Sequence, residues 1–525
     1  MNIEKAIMLA IDNVKKEGIT DIFPTPFEVS LLKNNDDFKN EVFKQIKSRL
    51  MPNELGKLKI HPLGHVLFPK KEAYDFRKAA LLQPLDTIIY LAIILQFADE
   101  IEKNRIPKSK KIVFSYRFKP KDGYLFDAKY NYTSFNHEVS KQIKKKHTKV
   151  LVKCDISNFY DRLNLHRLES TLLSLPNINS KLINLTNNLL LFWANRDSYG
   201  LPTGGNASRI LAESALISLD DYLLSHKVKF CRFVDDYRFF APSIEVAHEW
   251  LTMFIERLHL EGLTINPLKT TIEDVSLMDG INKNEGVVIS NSIKKHSRIV
   301  VGYSGTIPTK FREISEKEIR NLKDDSLDLL VQKIDNEQIL SPDDVKKFIR
   351  TLIAREEFDK IFYLTNFIDK FPQFTPLVID VFIKKADLIS PHIRDDIKNY
   401  FTEKITSNAN YPEYIMSSII SLLGKEHYRN IPALMEYFRN LKRNSGVYIG
   451  RAVLDALFNN VSRTEALEIR QYFNRADLWE KRAIIRLVIN ALPGDELRPW
   501  LKNIKIHLGD DLFAVEIFDK AKKSK

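Results

Sequence analysis

The chain has 525 residues, 44% hydrophobic and 28% charged, and its 80 Lys and Arg outnumber 68 Asp and Glu to give a net charge of +12. That balance suits two to four globular domains of roughly 100–200 residues each, and the positive excess points to a polyanionic partner such as nucleic acid or nucleotide. Two cysteines exclude a disulfide framework and a thiolate zinc cluster.

The start, "MNIEKAIMLAIDNVKKEGI", is interrupted by Glu4, Asp12 and Glu17 and lacks a secretory pattern. Residues 1 to about 60 place apolar side chains at helical spacing, as in "FEVSLLKNNDDFKNEVFKQIKSRL". An extended piece through Pro69 then leads into a long apolar helix. Its run "TIIYLAIILQFA" is 12 residues, short of the ~18 that a membrane span needs. A buried helix, no membrane partner and a cytoplasmic location are expected.

From 111 to 285 short β-rich runs ("KIVFSY", "KVLVKCDI", "KFCRFV", "YRFFA", "GLTINP") alternate with helices. Here "KQIKKKHTK", Lys141 to Lys149, is either a strip of phosphate contacts or a solvated helix end. Residues 281–310 are turn-rich, with two candidate strands, and read as a connector. From about 340 onward the pattern is helical, broken at Pro372, Pro391, Pro412, Pro432 and Pro493. "VYIGRAVLDALFNNV" and "WEKRAIIRLVINAL" share a degenerate pattern that fits HEAT-type stacked helical pairs or a plain bundle. The fold class is α+β, with N-terminal helices at 1–110, a mixed domain at 111–285, a connector at 286–339 and an all-α domain at 340–525.

Three stretches carry chemistry. In "KVLVKCDISNFYDRL", Val150, Val152 and Cys154 alternate with Leu151, Lys153 and Asp155. A strand therefore delivers Asp155 at its C-terminal end, with Ser157 or Asn158 as a cap for the helix or tight turn after it. In "CRFVDDYRFF", two strands flank Asp235-Asp236 as in a two-residue hairpin. Adjacent like charges suit a plain turn poorly, and a divalent cation would cancel their repulsion. Asp155 and Asp235 on neighbouring strands can bridge two Mg²⁺ ions about 3.5–4 Å apart, a clamp that activates a 3′-hydroxyl and stabilises leaving pyrophosphate. Hard cations take oxygen ligands, so Mg²⁺ or Mn²⁺ needs no His or Cys. Between them, "YGLPTGGNASRIL" supplies Gly200, Gly204 and Gly205, where a backbone can approach a base or a phosphate. Asn206 or Ser208 can cap the next helix.

The ordered series "DISNFYD", "GLPTGG", "FVDD" and "GLTINPLKT" resembles motifs A, B, C and D of reverse transcriptases. Upstream, "FPKKEAYDFRKAALLQPLDTIIYLAI" resembles the fingers motifs of that family, and the resemblance spans roughly residues 60 to 285. It implies a right-hand-like fingers and palm, with Asp155, Asp235 and Asp236 as catalytic metal-binding residues, Asp236 in the lesser, supporting role. Lys70 and Arg77 would face the triphosphate, and Tyr160 would exclude a ribose 2′-OH and so favour dNTPs. Thr203 and Gly204 would adjoin the nucleotide, Gly205 and Asn206 the template or product strand. Lys269 matches a lysine that can protonate pyrophosphate. Two departures stand out: Phe233-Val234 replaces the common Tyr-Ala before Asp-Asp, and Thr203 replaces a Gln that contacts nucleotide. Cys154 and Cys231 read as packing residues.

A palm followed by a HEAT-like tail resembles the bacterial abortive-infection reverse transcriptases. That resemblance implies antiphage defence, a homo-oligomer, and a DNA product that can be untemplated and covalently attached to a tyrosine of the same chain. The helical region holds eight tyrosines: Tyr363, Tyr400, Tyr411, Tyr414, Tyr428, Tyr437, Tyr448 and Tyr472. Tyr411, Tyr414 and Tyr448 stand in Pro- or Gly-broken segments, where a phenol is freer to move, and are the candidate priming nucleophiles. Alternatives are copying of a partner noncoding RNA, a catalytically silent palm acting as a scaffold, and a viral-type RNA-dependent RNA polymerase. The last fits "GLPTGG" and "FVDD" less well.

Overall fold

The computed structural model describes residues 1–51, 54–70, 76–195, 197–275, 313–315, 319, 322, 327–335, 342–407, 411–441, 446 and 448–524. The described residues fall into two units, Met1–Gly64 with Ala80–Val301 and His65–Ala79 with Gly302–Lys525. The expected connector strands at 281–310 lie outside the described residues.

The first unit opens with helices α1 (Ile3–Glu17), α2 (Phe27–Asn34), α3 (Asp36–Leu50) and α4 (Leu55–Leu58). In chain order the strands β1 (Gly64–Pro69) and β2 (Phe76–Leu81) come next, a hairpin that falls mostly in the second unit, and the first unit resumes with α5 (Pro84–Leu95) and α6 (Ala98–Asn104). Every residue of α5 is buried, as its unbroken apolar run requires, and α1, α10 and α11 pack on it. Next come β3 (Phe118–Lys121), β4 (Tyr124–Phe126), α7 (Tyr132–Ile143), β5 (Val150–Asp155), α8 (Phe159–Arg162), α9 (Leu165–Ser174) and α10 (Ser180–Trp193). The unit continues with α11 (Asn206–Ala215), α12 (Ile217–Ser225), β6 (Phe230–Phe233), β7 (Asp236–Ala241), α13 (Ile244–Leu260) and β8 (Thr271–Asp274).

Strands β5 to β8 form one antiparallel sheet in the order β6-β7-β5-β8. The period of two divides it cleanly. On one face Leu151, Cys231 and Phe240 pack with Phe114, Phe135 and Val139. On the other, Tyr237 and Phe239 pack against Phe254 of α13, with ring centroids 4.7 and 5.3 Å apart. Each large buried side chain contributes roughly 1.5–3 kcal/mol of transfer free energy, so the sheet is a rigid platform for whatever stands at its end. Cys154 and Cys231 are buried, and burial pushes their thiols up to about 11 and about 12, as inert packing groups.

In the second unit, Phe68 and Phe76 of the β1–β2 hairpin pack against the ring of Tyr414 at 6.2 and 6.3 Å. The rest of the unit is helical. Thr375–Lys384, Glu413–Leu423, Ile449–Leu457, Leu478–Ala491 and Leu512–Ser524 each contact the next in that series, and Pro391–Thr406 packs with Ile431–Arg439 beside them. Gly424 permits one close approach, since a Cβ there would lie 2.8 Å from the Cβ of Ala456. No helix among the described residues is long and apolar enough to cross a membrane.

Candidate active site

Strand β5 runs from its buried start to Asp155, whose Cα pairs with that of Asp236 on β7. The hairpin turn is one residue earlier than the sequence suggests. Phe233 pairs with Asp236, so Val234 and Asp235 form the turn and Asp236 is already in the strand. Val234 sits at φ 57, an outlier for a β-branched residue. Propensity would have given that position to glycine, so the surrounding structure must impose it. The Asp235 carbonyl accepts from the Ile156 N–H at 3.1 Å, which ties the turn to the end of β5.

The two carboxylates therefore stand together where the sheet ends. Asp155 is partly exposed and pairs with Lys269 at 3.1 Å. The Asp235 carboxyl is pushed up to about 7, chiefly by burial and next by the charge of Asp155. Asp236 is buried and its carboxyl is raised by burial, against the pull of Arg238. Both guanidinium Nη atoms of Arg238 hold it, Nη2 at 2.9 Å from Oδ2. The motif carries no sign of this pairing, although two residues along a strand share a face and the spacing could have shown it. Among the described residues there is no cluster of three or more His, Cys, Asp or Glu side chains poised for a metal. The arrangement is a two-carboxylate site, with Asp236 engaged by its own arginine. An oxygen-only donor pair whose mutual repulsion raises Asp235 fits a hard divalent cation, which would relieve that repulsion.

The segment "GLTINPLKT" closes one side. Ile265 bridges to Ile156, Ser157 N–H donates to the Thr264 carbonyl at 2.8 Å, and Asn266 N–H donates to the Asp155 carbonyl at 2.7 Å. A 3₁₀ turn at Pro267–Lys269 then delivers the Lys269 ammonium to Asp155. Tyr160 is buried on α8, edge-on to Phe159 at 5.6 Å. Its carbonyl accepts from Leu201 N–H at 2.9 Å, so the glycine loop is pinned to the Tyr160 turn. Asn158 occupies the N-cap position of α8 at φ 45 without a side-chain capping bond.

The glycine loop approaches the chain's own N-terminal segment. Thr203 is buried and its carbonyl accepts from Ala80 N–H at 3.2 Å. Gly204 has φ 115, and a Cβ there would lie 2.4 Å from the Thr20 hydroxyl. Gly205 is the N-cap of α11 and makes no side-chain cap, so neither Asn206 nor Ser208 caps that helix as expected. The Asn206 amide donates instead to Asn13 at 3.0 Å and Glu17 at 2.9 Å, and Ser208 bonds the Tyr90 hydroxyl at 3.2 Å. Arg209 pairs with Asp21 at 2.5 Å. The involvement of residues 13–21 has no signal in the motif itself.

Lys70 and Arg77 stand on the β1–β2 hairpin, both partly exposed. Arg117, the next arginine along the chain after Arg105, is buried against Glu102 at 2.8 Å and the Ile106 carbonyl at 3.0 Å. Of the tyrosines expected to be mobile, Tyr411 and Tyr448 are partly exposed. Tyr414 corrects that expectation. It is 2% exposed, its hydroxyl pushed up to about 12 by burial, because Pro412 starts a helix rather than breaking one.

Comparison with known families matches residues 70–304 to the family described as reverse transcriptase (RNA-dependent DNA polymerase). No curated protein matches the chain. Among solved structures, telomerase from Candida albicans, in complex with a telomeric RNA fragment, aligns at 12% identity and a TM-score of 0.31, covering 79% of this chain and 70% of that one. Apo telomerase from Candida tropicalis aligns at 12% identity and 0.30, covering 73% of each chain. Likeness at those scores bears no weight for fold or function. The family match covers Asp155, Tyr160, the glycine loop, Asp235 and Lys269 in their observed places around the sheet end. The chain carries a reverse transcriptase domain, the catalytic unit of an RNA-directed DNA polymerase.

Proposed function

We propose that the protein polymerises dNTPs by two-metal nucleotidyl transfer at Asp155 and Asp235. The observation that carries this is the pair itself, held at the end of β5 and in the β6–β7 turn, with Asp235 raised by burial and by Asp155. Mg²⁺ held by the two carboxylates would supply Lewis-acid activation of the attacking hydroxyl and charge stabilisation at the leaving pyrophosphate. Lys269, with its ammonium at Asp155, is placed to give a proton to that pyrophosphate. Lys70 and Arg77 bind the triphosphate through charge-assisted hydrogen bonds. Tyr160 blocks a 2′-hydroxyl, and Thr203 and Gly204 border the nucleotide. Arg238 keeps Asp236 as a supporting charge rather than a metal ligand.

The biological setting we propose is antiphage defence of the abortive-infection kind in a bacterial cytoplasm, with the protein as a homo-oligomer. The helical unit supports this reading. Its helices pack in a series that fits a HEAT-like stack, each contacting its next-but-one neighbour. In such a protein the DNA is made without a template and begins on a tyrosine. Tyr411 and Tyr448 are the better candidates, since Tyr414 is packed between two phenylalanines. Templating by a partner noncoding RNA is the second reading.

The test is incubation of purified protein with labelled dNTPs and Mg²⁺, with and without added RNA, then denaturing electrophoresis before and after nuclease. Nuclease-sensitive label on the protein band supports untemplated, protein-primed synthesis. Free label that depends on RNA supports the second reading. Absence of label in both arms would contradict the proposal.

A further inference from the structure

Directly behind the candidate metal site lies a buried charge network outside the motifs. Arg232, on β6, is 0% exposed. Its Nε donates to both oxygens of Asp220 at 2.9 and 2.8 Å, and its Nη2 lies 2.7 Å from the same carboxylate. Its Nη1 reaches Glu213 at 2.8 Å. Asp220 also accepts from the Tyr237 hydroxyl at 3.1 Å, and Glu213 accepts from Arg105 at 2.5 Å and from the Ser115 hydroxyl. Arg232 is thus fixed by two helices, α11 and α12, which supply the two acids.

The same Nη1 also donates to the Ser115 hydroxyl at 3.4 Å and to the Val234 carbonyl at 3.2 Å. Val234 is the residue at φ 57, and it is 1% exposed. A β-branched residue takes that conformation only where its surroundings enforce it. The network supplies the enforcement: a guanidinium that cannot move, bonded to the carbonyl that precedes Asp235. On the other flank, Ile156 N–H holds the Asp235 carbonyl. The turn is clamped from both sides.

We propose that Arg232 is a positioning residue for catalysis. It transmits the rigidity of α11 and α12 to the Val234–Asp235 turn, so that the Asp235 carboxylate stays aimed at the cation it shares with Asp155. This rests on the reading of Asp155 and Asp235 as the metal-holding pair. A purely structural arginine would neutralise Glu213 and Asp220 and affect stability alone. A positioning arginine sets metal affinity and turnover, since groups that orient metal ligands are worth roughly 10–100-fold in affinity or activity.

The experiment compares wild type, Arg232→Lys and Arg232→Lys/Val234→Gly for kcat, KM for dNTP and the Mg²⁺ requirement, read both as the concentration at half-maximal rate and as Mg²⁺ affinity by calorimetry without dNTP, with melting curves for folding. Lysine keeps the charge but cannot hold Asp220, Glu213 and the Val234 carbonyl together. The expected result is a kcat at least about tenfold lower and a several-fold higher Mg²⁺ requirement, with KM for dNTP changed by less than about twofold. Val234→Gly in the same chain recovers part of the lost kcat, because glycine holds positive φ without the clamp. Unchanged Mg²⁺ requirement and kcat in folded Arg232→Lys overturn the inference, whatever its melting temperature. If Arg232→Lys does not fold, Tyr237→Phe replaces it, since that change removes only one hydrogen bond from Asp220. It is expected to raise the Mg²⁺ requirement, and no rise overturns the proposal. Asp235→Asn is the control. If Asp235→Asn stays active, the metal-site reading itself fails. If it is inactive while the Arg232 and Tyr237 variants match wild type, only the positioning role fails.

Discussion

At the residue scale, the site is built from side chains kept in costly states. Asp235 is raised by burial and by Asp155, and Val234 holds positive φ. Asp155 was legible because strand alternation places it at a strand end. The turn was not, because a β-branched valine is a poor choice for positive φ, and the bonds that hold it, from Arg232 to the Val234 carbonyl and from Ile156 N–H to the Asp235 carbonyl, come from outside the motif's own pattern. Arg238 beside Asp236 was hidden because the motif consists of acids and does not include their counter-charges. Tyr160 tests the nucleotide reading. Replacing it with alanine should raise ribonucleotide use relative to deoxyribonucleotide use by about tenfold, and should cost about 3 kcal/mol of stability for the lost buried ring. Competition between labelled dNTP and rNTP reads the first effect and denaturant unfolding the second. Lowered stability with unchanged discrimination would leave Tyr160 as a packing residue. Lys269→Ala should lower kcat by about 10² if it donates a proton in the transition state, with KM for dNTP little altered. Single-turnover incorporation is the measurement.

At the element scale, the strands and the buried helix α5 follow from periodicity and apolar content, whereas the glycine loop shows what local sequence hides. The loop reads as a place for a close approach, and it makes one, to Thr20 of the chain's own N-terminal segment. Such a partner nearly two hundred residues away in sequence leaves no trace in a short motif. The two glycines then separate. Gly204→Ala needs a side chain at φ 115 and a Cβ 2.4 Å from the Thr20 hydroxyl, so it should lower the unfolding free energy by about 1–3 kcal/mol. Gly205→Ala meets nothing nearer than the Ile19 carbonyl at 3.9 Å and should stay within about 0.5 kcal/mol of wild type. Urea unfolding of the two variants checks the contrast, and equal losses would mean that the Thr20 contact does not shape the loop.

At the scale of the whole molecule, two units are joined in one chain: a sheet-based polymerase domain and a helical unit that includes the hairpin bearing Lys70 and Arg77. Composition and helical spacing revealed the helical character of the tail. The prolines read as breaks stand at helix starts, Pro391 and Pro432 in the first turn and Pro412 and Pro493 at the N-cap. Reading Pro412 as a break misled at Tyr414, whose ring is buried in the helix that begins there. If the chain primes its own product, Tyr411→Phe or Tyr448→Phe should abolish covalently attached DNA while leaving the fold intact, because only the nucleophilic oxygen is removed. Retention of attached DNA in both variants would move the priming group elsewhere. The catalytic expectations depend on the two carboxylates at the sheet end. The most direct measurement is dNTP incorporation by Asp235→Asn beside wild type, with melting curves on both. The account predicts a melting temperature equal to or above that of wild type, since a carboxylate crowded by Asp155 is replaced by a neutral isostere. It predicts a rate lower by roughly 10³ or more, because several kcal/mol of metal-borne transition-state stabilisation is lost. A folded Asp235→Asn protein that incorporates dNTPs at the wild-type rate would contradict it.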